Sequence, residues 1–338
     1  MTILKISISD LGYFSGCRRQ WYWGNIYTPK YPPPAYFVGS AAHEGLETYY
    51  KTRDSQQVTD AVEKFIDKTL QDVSDNPIEY GGESSIEQYE ELAELSRQMV
   101  ANYLRYDAEL PFQGKVEEIE STIRIKIPHP DEEPTMIILS GRIDLIISDD
   151  QGGLWIVDHK TSSSYTPGLP GLDVDEQLTG YMYLVWKRTG IVPKGVIYNV
   201  LLKKAPSAPR LLKNGDLSQD KSQATTYDLY MKEIAALGQD PFKYDSMLTY
   251  LKEKGWDGFF FREAAGRNLH ELKSFEERVL VKAADIARIY LNPDVWAYPS
   301  PSTYSCNYCQ YLSACKSKED GGDYKTILET RFTVRPTD

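Results

Sequence analysis

The sequence predicts an α/β fold: a small mixed sheet flanked by helices, with a helical region before it and a cysteine-bearing segment after it. Three observations predict this. Apolar residues recur at helical spacing up to about residue 115, and the period changes to two at Val116. Three predicted strands are then followed by one helical stretch and another apolar strand, the order of a sheet covered by helices. The four cysteines stand at opposite ends of the chain, Cys17 near the start and Cys306, Cys309 and Cys315 as C-x-x-C-x-x-x-x-x-C near the end. A fold that joins the ends creates one four-thiolate site.

Composition narrows the class. The 338 residues suffice for a full core, as one elaborated domain or two intimate ones. A hydrophobic content of 41% and a charged content of 26% are ordinary for a soluble globular protein. No apolar run is long enough to span a bilayer, and the N-terminus lacks the basic-then-apolar layout of a signal peptide, so the expected compartment is the cytoplasm. Thiols stay reduced there, which points the cysteines toward metal rather than disulfides. The net charge of −11 excludes a surface coated in nucleic-acid-binding charge, but not a local basic groove. The chain has no 20–50-residue repeat and no G-x-x-x-x-G-K-[ST] loop, which argues against a built-in helicase motor or ATPase.

Four regions follow in order. In region 1–115, residues 7–23 read as one short helix with Ser7 or Ser9 as N-cap. Pro29, Pro32, Pro33 and Pro34 make an extended connection, and Ser40 is the expected cap of a helix through His43, Leu46 and Tyr50. Two more helices are predicted over 56–72 and 84–108, separated by Gly81-Gly82.

In region 116–202, Ile119, Ile123, Ile125 and Ile127 are predicted on one strand face, with Glu118, Glu120, Arg124 and Lys126 on the other. A loop over 128–135 with three prolines leads to strands at 136–148 and 154–160, turned by Gly152-Gly153, a three-stranded meander. A Pro/Gly loop (162–172), a helix over 173–188 and a strand over 195–202 complete the region.

Region 203–270 holds a basic, proline-punctuated loop, helices near 227–237 and 243–254, and a strand at 258–262. Region 271–338 opens with an amphipathic helix (271–291) carrying Leu272, Phe275, Val279, Ala283, Ile286 and Ile289, which delivers the chain to the cysteine trio. The tail beyond about 320 reads as polar and loose.

The chemistry-bearing residues lie in the meander. Asp144 in G-R-I-D-L-I is expected to project opposite Ile143 and Leu145, while Asp158 and Lys160 in I-V-D-H-K-T are two apart and share a face. Carboxylates on neighbouring strands supply hard oxygen ligands for Mg²⁺ or Mn²⁺. Such an ion polarises a phosphate and acidifies a bound water, and a nearby lysine stabilises developing negative charge. Asp and Lys at this spacing also form plain solvated ion pairs. The second Asp in the preceding strand and the apolar run before Asp158 favour the catalytic reading. Gln177 and Tyr181, four apart on the following helix, share one face and can donate to phosphate oxygens. His43 offers a nitrogen ligand if its helix reaches the meander.

Together these motifs make the chain resemble the RecB-type nuclease branch of the PD-(D/E)XK superfamily, including its iron–sulfur members, phage exonucleases and CRISPR-associated adaptation nucleases. The resemblance rests on S-x-S-D-L-x-x-F-x-x-C (7–17), G-S-A-A-H-E (39–44), G-R-I-D (141–144), V-D-H-K-T (157–161), Q-L-T-G-Y (177–181) and C-N-Y-C-Q-Y-L-S-A-C (306–315). It implies a restriction-endonuclease-like core in which His43, Asp144 and Asp158, with the main-chain carbonyl of His159, bind the catalytic cation. Lys160 is then the catalytic lysine, Gln177 and Tyr181 the phosphate-contacting pair, and Glu120 the first-strand acid, a role for which Glu118 competes. The cysteine spacing is similar to that of the iron–sulfur members, which implies a [4Fe–4S] cluster. Four thiolates alone suit tetrahedral zinc equally.

Arg18, Arg19, Arg142, Lys203, Lys204, Arg210 and Lys213 are candidates for DNA backbone contact, and no recognition helix is apparent, so ends and backbone are the expected targets. The expected activity is that of a Mg²⁺/Mn²⁺-dependent exonuclease on single-stranded or end-frayed DNA, serving recombination, repair or phage DNA processing with a helicase or recombinase as separate partner. The rivals are an endonuclease trimming CRISPR spacer precursors, a non-catalytic nucleic-acid-binding scaffold, and a zinc-stabilised interaction domain.

Overall fold

The computed structural model describes residues 3–128, 136–168 and 170–335. The chain opens with a strand absent from the sequence expectation, β1 (Ile3–Ser7), whose Leu4 and Ile6 are buried. Ser7 ends it and caps α1 (Ile8–Gly16): its hydroxyl accepts from the Asp10 N–H at 3.1 Å while the Asp10 carboxylate accepts from the Ser7 N–H at 2.8 Å. The single helix expected over 7–23 is two. Cys17 takes an extended conformation (φ −158°, ψ 114°), and α2 (Arg18–Ile26) restarts after it. The break turns Cys17 out of the helical repeat toward the far end of the chain, where the Ser300 N–H donates to its sulfur at 3.4 Å.

After β2 (Tyr27–Pro29) the next helix, α3 (Pro34–Thr52), begins six residues earlier than the expected Ser40 cap, which lies inside it. Pro34 occupies its first turn, where a missing N–H costs no hydrogen bond. Next come α4 (Ser55–Asp75), capped by Asp54, and α5 (Ser84–Glu109), with Gly81 and Gly82 between them at φ 115° and 104°, conformations that favour glycine. These three helices cover one face of the sheet.

The sheet is built by β3 (Lys115–Pro128), β4 (Met136–Ser148) and β5 (Leu154–Ser162) as an antiparallel meander. The predicted proline loop between the first two lies outside the described residues over 129–135. A 3₁₀ turn at Pro170–Val174 leads to α6 (Glu176–Thr189) and β6 (Gly195–Leu202), which joins β5 in parallel. Past α7 (Tyr227–Ala236) and α8 (Asp245–Lys254), the chain returns as β7 (Phe260–Ala265), antiparallel to β6 and two residues later than expected. β1 lies parallel to β4, from Ile3 opposite Met136 to Ser7 opposite Ser140. The result is a mixed six-stranded sheet flanked by helices, in line with the α/β fold expected from the sequence.

α9 (Leu269–Leu291) packs with α1 and α6 on the second face and buries all six expected apolar residues. The chain then forms α10 (Pro293–Trp296), α11 (Thr303–Asn307), α12 (Leu312–Glu319), α13 (Tyr324–Arg331) and β8 (Phe332–Val334). The tail is therefore not loose up to residue 335. β8 pairs antiparallel with β2, and Leu328 and Phe332 are buried with Trp23, Tyr311 and Ala314.

Strand alternation fails at one level of the sheet. A bulge between Val116 and Glu118 is followed by Glu120 at φ 50°, a left-handed conformation rare for a non-glycine residue. Ile119 consequently packs toward the α3–α5 layer, whereas Ile123, Ile125 and Ile127 pack toward α6 and α9, so the four isoleucines do not share a face. On β4 the same level separates Ile143, in the α6/α9 layer, from Leu145, in the α3–α5 layer. Asp144 is thus not simply opposite both.

Candidate active site and cysteine cavity

β4 and β5 pair only between residues 145–148 and 154–157, then separate as β4 continues beside β1. Asp144 and Asp158 stand at this fork. The first bridges it: its Oδ2 accepts the main-chain N–H of His159 at 2.6 Å, a side chain taking over where the ladder stops.

Around Asp144 three elements converge. His43 from α3, Glu120 from β3 and Asp144 from β4 bring ligand atoms within 4.8 Å of one another. His43 Nδ1 is 3.9 Å from Asp144 Oδ1. Arg142 Nε holds the outer side of Glu120 at 2.5 Å. The left-handed kink separates the two competing glutamates. Glu120 faces this group, whereas Glu118 binds Arg188 of α6 at 2.8 Å. Burial raises the Glu120 carboxyl above its usual range, with the Asp144 charge adding to it; burial also raises Asp144 and keeps the His43 imidazole neutral to lower pH than usual.

Asp158 and Lys160 share a face, as their spacing requires, with Lys160 Nζ 3.0 Å from Asp158 Oδ1. Asp158 is 2% exposed, and its buried Oδ2 has no hydrogen-bond partner among the described residues. Burial, together with the Asp144 charge, pushes this carboxyl up to about 6 against the pull of Lys160. The ammonium in turn is opposed by burial yet held above the lysine range by Asp158. Tyr181 of α6 lies beside this pair, its phenol pushed up to about 12 by burial and then by the Asp158 charge. Gln177 Nε2 donates to the Tyr181 hydroxyl at 2.8 Å, leaving the phenolic proton for another acceptor.

A neutral imidazole, repelling carboxylates and an orphaned buried carboxylate oxygen are the donor set of a hard divalent cation, whose charge removes the penalty that raises each acid. The residues fit such an ion. In this arrangement Asp158 is not among the three groups within 4.8 Å; it stands on the Lys160 side of the fork. A cavity of about 530 Å³ opens over His43, Glu120, Arg142, Asp144, Thr161 and Lys203.

The expected basic contacts divide. Arg142 and Lys203 line that cavity, and Lys203 also donates to the Ala35 carbonyl at 2.9 Å. Arg18 is paired with Asp285, Arg210 with Asp220, and Arg19 with Glu319.

The ends of the chain meet elsewhere. Cys17, Cys306, Cys309 and Cys315 line one cavity of about 600 Å³ between α2, α11 and α12, all four half-buried and none in a disulfide. Arg19 Nη1 donates to Cys315 Sγ at 3.4 Å. Burial raises the Cys309 thiol, and the other three cysteines add to the shift, as grouped sulfurs require.

A family model described as the PD-(D/E)XK nuclease superfamily matches residues 5–316. The chain belongs to the PD-(D/E)XK nuclease superfamily. That superfamily comprises nucleases that use divalent metals, and the mixed sheet flanked by helices is consistent with its fold. Among solved structures, the chain is similar to the crystal structure of SSO0001, with 15% identity over 93% of this chain and 86% of that one, at a TM-score of 0.38. No curated protein matches it. Among the described residues of this PD-(D/E)XK chain, no helix is long and apolar enough to cross a membrane.

Sequence reasoning missed the surroundings of His159. His159 is 3% exposed; its ring stacks on Tyr50 at 5.5 Å, meets Asn199 of β6 and lies edge-on to Tyr103, with Arg262 behind Asn199. These residues come from α3, α5, β6 and β7, so no local motif connects them. The nearest signal is Asn199 within an otherwise apolar strand.

Proposed function

We propose that this chain is a Mg²⁺/Mn²⁺-dependent deoxyribonuclease of the RecB-type, iron–sulfur-containing branch. It acts as an exonuclease on single-stranded or end-frayed DNA in recombination, repair or phage DNA processing, with any helicase or recombinase as a separate chain. One observation carries the reading: the unpartnered Asp158 oxygen beside Lys160, across the strand fork from the His43–Glu120–Asp144 group.

In this reading His43, Asp144 and Asp158 hold the cation with the His159 carbonyl, and Glu120 completes the acidic wall. The ion supplies Lewis acidity to the scissile phosphate and a lowered pKa to a bound water. Lys160, fixed by Asp158, faces the charge that grows on the phosphoryl oxygens as water attacks phosphorus and the P–O bond opposite breaks. Tyr181, with its hydroxyl oriented by Gln177, donates to a non-bridging oxygen.

Support for an unpaired strand comes from the approach to the site. Tyr36 is 54% exposed and lines both the catalytic cavity and a neighbouring one of about 540 Å³. That second cavity carries Tyr13 and Tyr308, 55% and 80% exposed. Exposed rings of this kind stack on bases without reading sequence. For the cysteines, four thiols around one cavity support a [4Fe–4S] cluster tying the N-terminal helices to the C-terminal segment, with zinc as the alternative.

The test is cleavage of end-labelled single- and double-stranded DNA by anaerobically purified protein with Mn²⁺, beside Asp158→Ala. Loss of activity in the variant and short products released from an end support the proposal. Internal cuts point to the spacer-processing endonuclease, and equal activity in the variant rejects the assigned site. Iron, acid-labile sulfide and zinc measured on the same preparation decide the occupant of the cysteine cavity.

A further inference from the structure

We infer that Asn199, Arg262 and Asp107 are positioning residues: through His159 they hold the main-chain N–H that grips the Asp144 carboxylate. The inference rests on the proposed metal site, in which Asp144 is a ligand, and concerns residues that touch neither metal nor substrate.

The links run inward in order. Asp107 of α5 is 1% exposed and carries two guanidinium groups, Arg262 at 2.5 Å on one oxygen and Arg53 at 3.1 Å on the other. Tyr49 and Tyr50 also donate to it, at 2.9 and 3.0 Å. Arg262 then donates from Nε to Asn199 Oδ1 at 3.0 Å. Because a guanidinium only donates, the Asn199 oxygen must face it and the amide NH₂ must face His159. Asn199 Nδ2 lies 2.7 Å from His159 Nδ1 and 3.0 Å from the Tyr103 hydroxyl. His159 Nδ1 is therefore an acceptor; burial keeps the ring neutral, which leaves its proton on Nε2, a buried atom with no hydrogen-bond partner among the described residues. Asp107 thus fixes, three hydrogen bonds away, which nitrogen of a buried imidazole is protonated.

The ring is pinned on its face as well, by Tyr50, whose hydroxyl bonds Tyr103 at 2.8 Å. A residue locked by its side chain presents its backbone at a fixed angle. The backbone of His159 donates to Asp144 Oδ2 at 2.6 Å, just where β4 and β5 cease to pair. No ladder hydrogen bond between β4 and β5 orients the ligand there; the β5–β6 ladder holds the His159 strand from its other edge, with Asn199 in register, and the network adds the restraint on the side chain. Outer-shell partners of metal ligands are worth about 10–100-fold in metal affinity when removed.

The experiment compares full-length wild type, Asn199→Leu and Asn199→Asp. In metal-free protein labelled with ¹⁵N-histidine, wild-type His159 is expected as the Nε2–H tautomer. Asn199→Asp, which keeps the volume but offers only acceptors, is expected to move the proton to Nδ1. The His159 amide exchanges faster in Asn199→Leu than in wild type. The Mn²⁺ dissociation constant, read by electron paramagnetic resonance, rises about 10-fold or more in that variant, in the range for outer-shell losses. A merely structural Asn199 would lower the melting temperature while leaving tautomer and Mn²⁺ affinity unchanged, and that result overturns the inference. So does an Nδ1–H tautomer in wild type. If Asn199→Leu does not fold, Asn199→Asp still decides. Wild type that binds no Mn²⁺ sinks the metal-site reading, while the tautomer and amide exchange separately judge the network.

Discussion

Lys160 Nζ sits 3.0 Å from one oxygen of Asp158, and the other oxygen of that buried carboxylate has no hydrogen-bond partner among the described residues. Most buried side-chain polar atoms are hydrogen-bonded, so an orphaned carboxylate oxygen calls for a reason beyond the ion pair itself. Replacing Asp158 with Asn removes the charge and keeps the shape, so cleavage is expected to fall on the order of 10³-fold, the equivalent of several kcal/mol of charge stabilisation. Single-turnover assays on end-labelled DNA measure it, with circular dichroism showing the variant still folded.

The same carboxyl links pH to folding. Its value of about 6 in the folded chain exceeds the unfolded 3.8, so between these values the native state holds more proton than the unfolded one. Its contribution to stability is fully present below pH 3.8 and is lost as pH rises through about 6. Mn²⁺ favours the ionised form, so its affinity is expected to rise across the same window. Urea denaturation of metal-free protein from pH 4 to 7, wild type against Asp158→Asn, isolates the difference.

Glu118 and Glu120 provide a paired test. Glu120→Gln removes an acid from the His43–Asp144 group and is expected to weaken Mn²⁺ binding about 10-fold. Glu118→Gln breaks an exposed pair with Arg188 and is expected to change stability by less than about 1 kcal/mol, leaving Mn²⁺ affinity intact. Equal effects on Mn²⁺ affinity would contradict the separation of the two side chains.

Cys306→Ala is expected to lower the melting temperature of the whole chain. Bound in the cysteine cavity, the proposed cluster would tie Cys17 to the 306–315 segment, closing a very long loop and restricting the unfolded state. Differential scanning calorimetry checks this; unchanged melting with lost cleavage would assign the cysteines to chemistry instead.

Tyr36→Ala is expected to raise KM on single-stranded DNA by the loss of about 1–3 kcal/mol of stacking, with a smaller change on blunt duplex. Steady-state kinetics on the two substrates separates them.

Much of this was legible in the chain. Period two put Asp158 and Lys160 on one face because β5 runs straight through that level, and the six apolar residues of α9 were read from helical spacing alone. The unread parts share a cause: they depend on distant partners. β1 is five residues long and is defined by its pairing with β4. The split at Cys17 is a choice between a continuing helix and a sulfur turned toward residues near 300. The reversal at Glu120 needs a left-handed residue that no propensity favours, and it decides which glutamate joins His43. α13 and β8 are short, and they order against Trp23 and β2 rather than by their own composition.

The pairing of β2 with β8 has a consequence for how the polypeptide emerges from a ribosome. Tyr27 meets Val334 only after nearly all of the intervening chain has been made, roughly 15–60 s later at typical elongation rates. Throughout that delay Trp23 lacks the Tyr311, Leu328 and Phe332 side chains that cover it in the finished molecule. Nascent chains halted before residue 300 should therefore present an uncovered Trp23 region to chaperones, and the emergence of residues 311–332, rather than completion of the sheet, is what covers it.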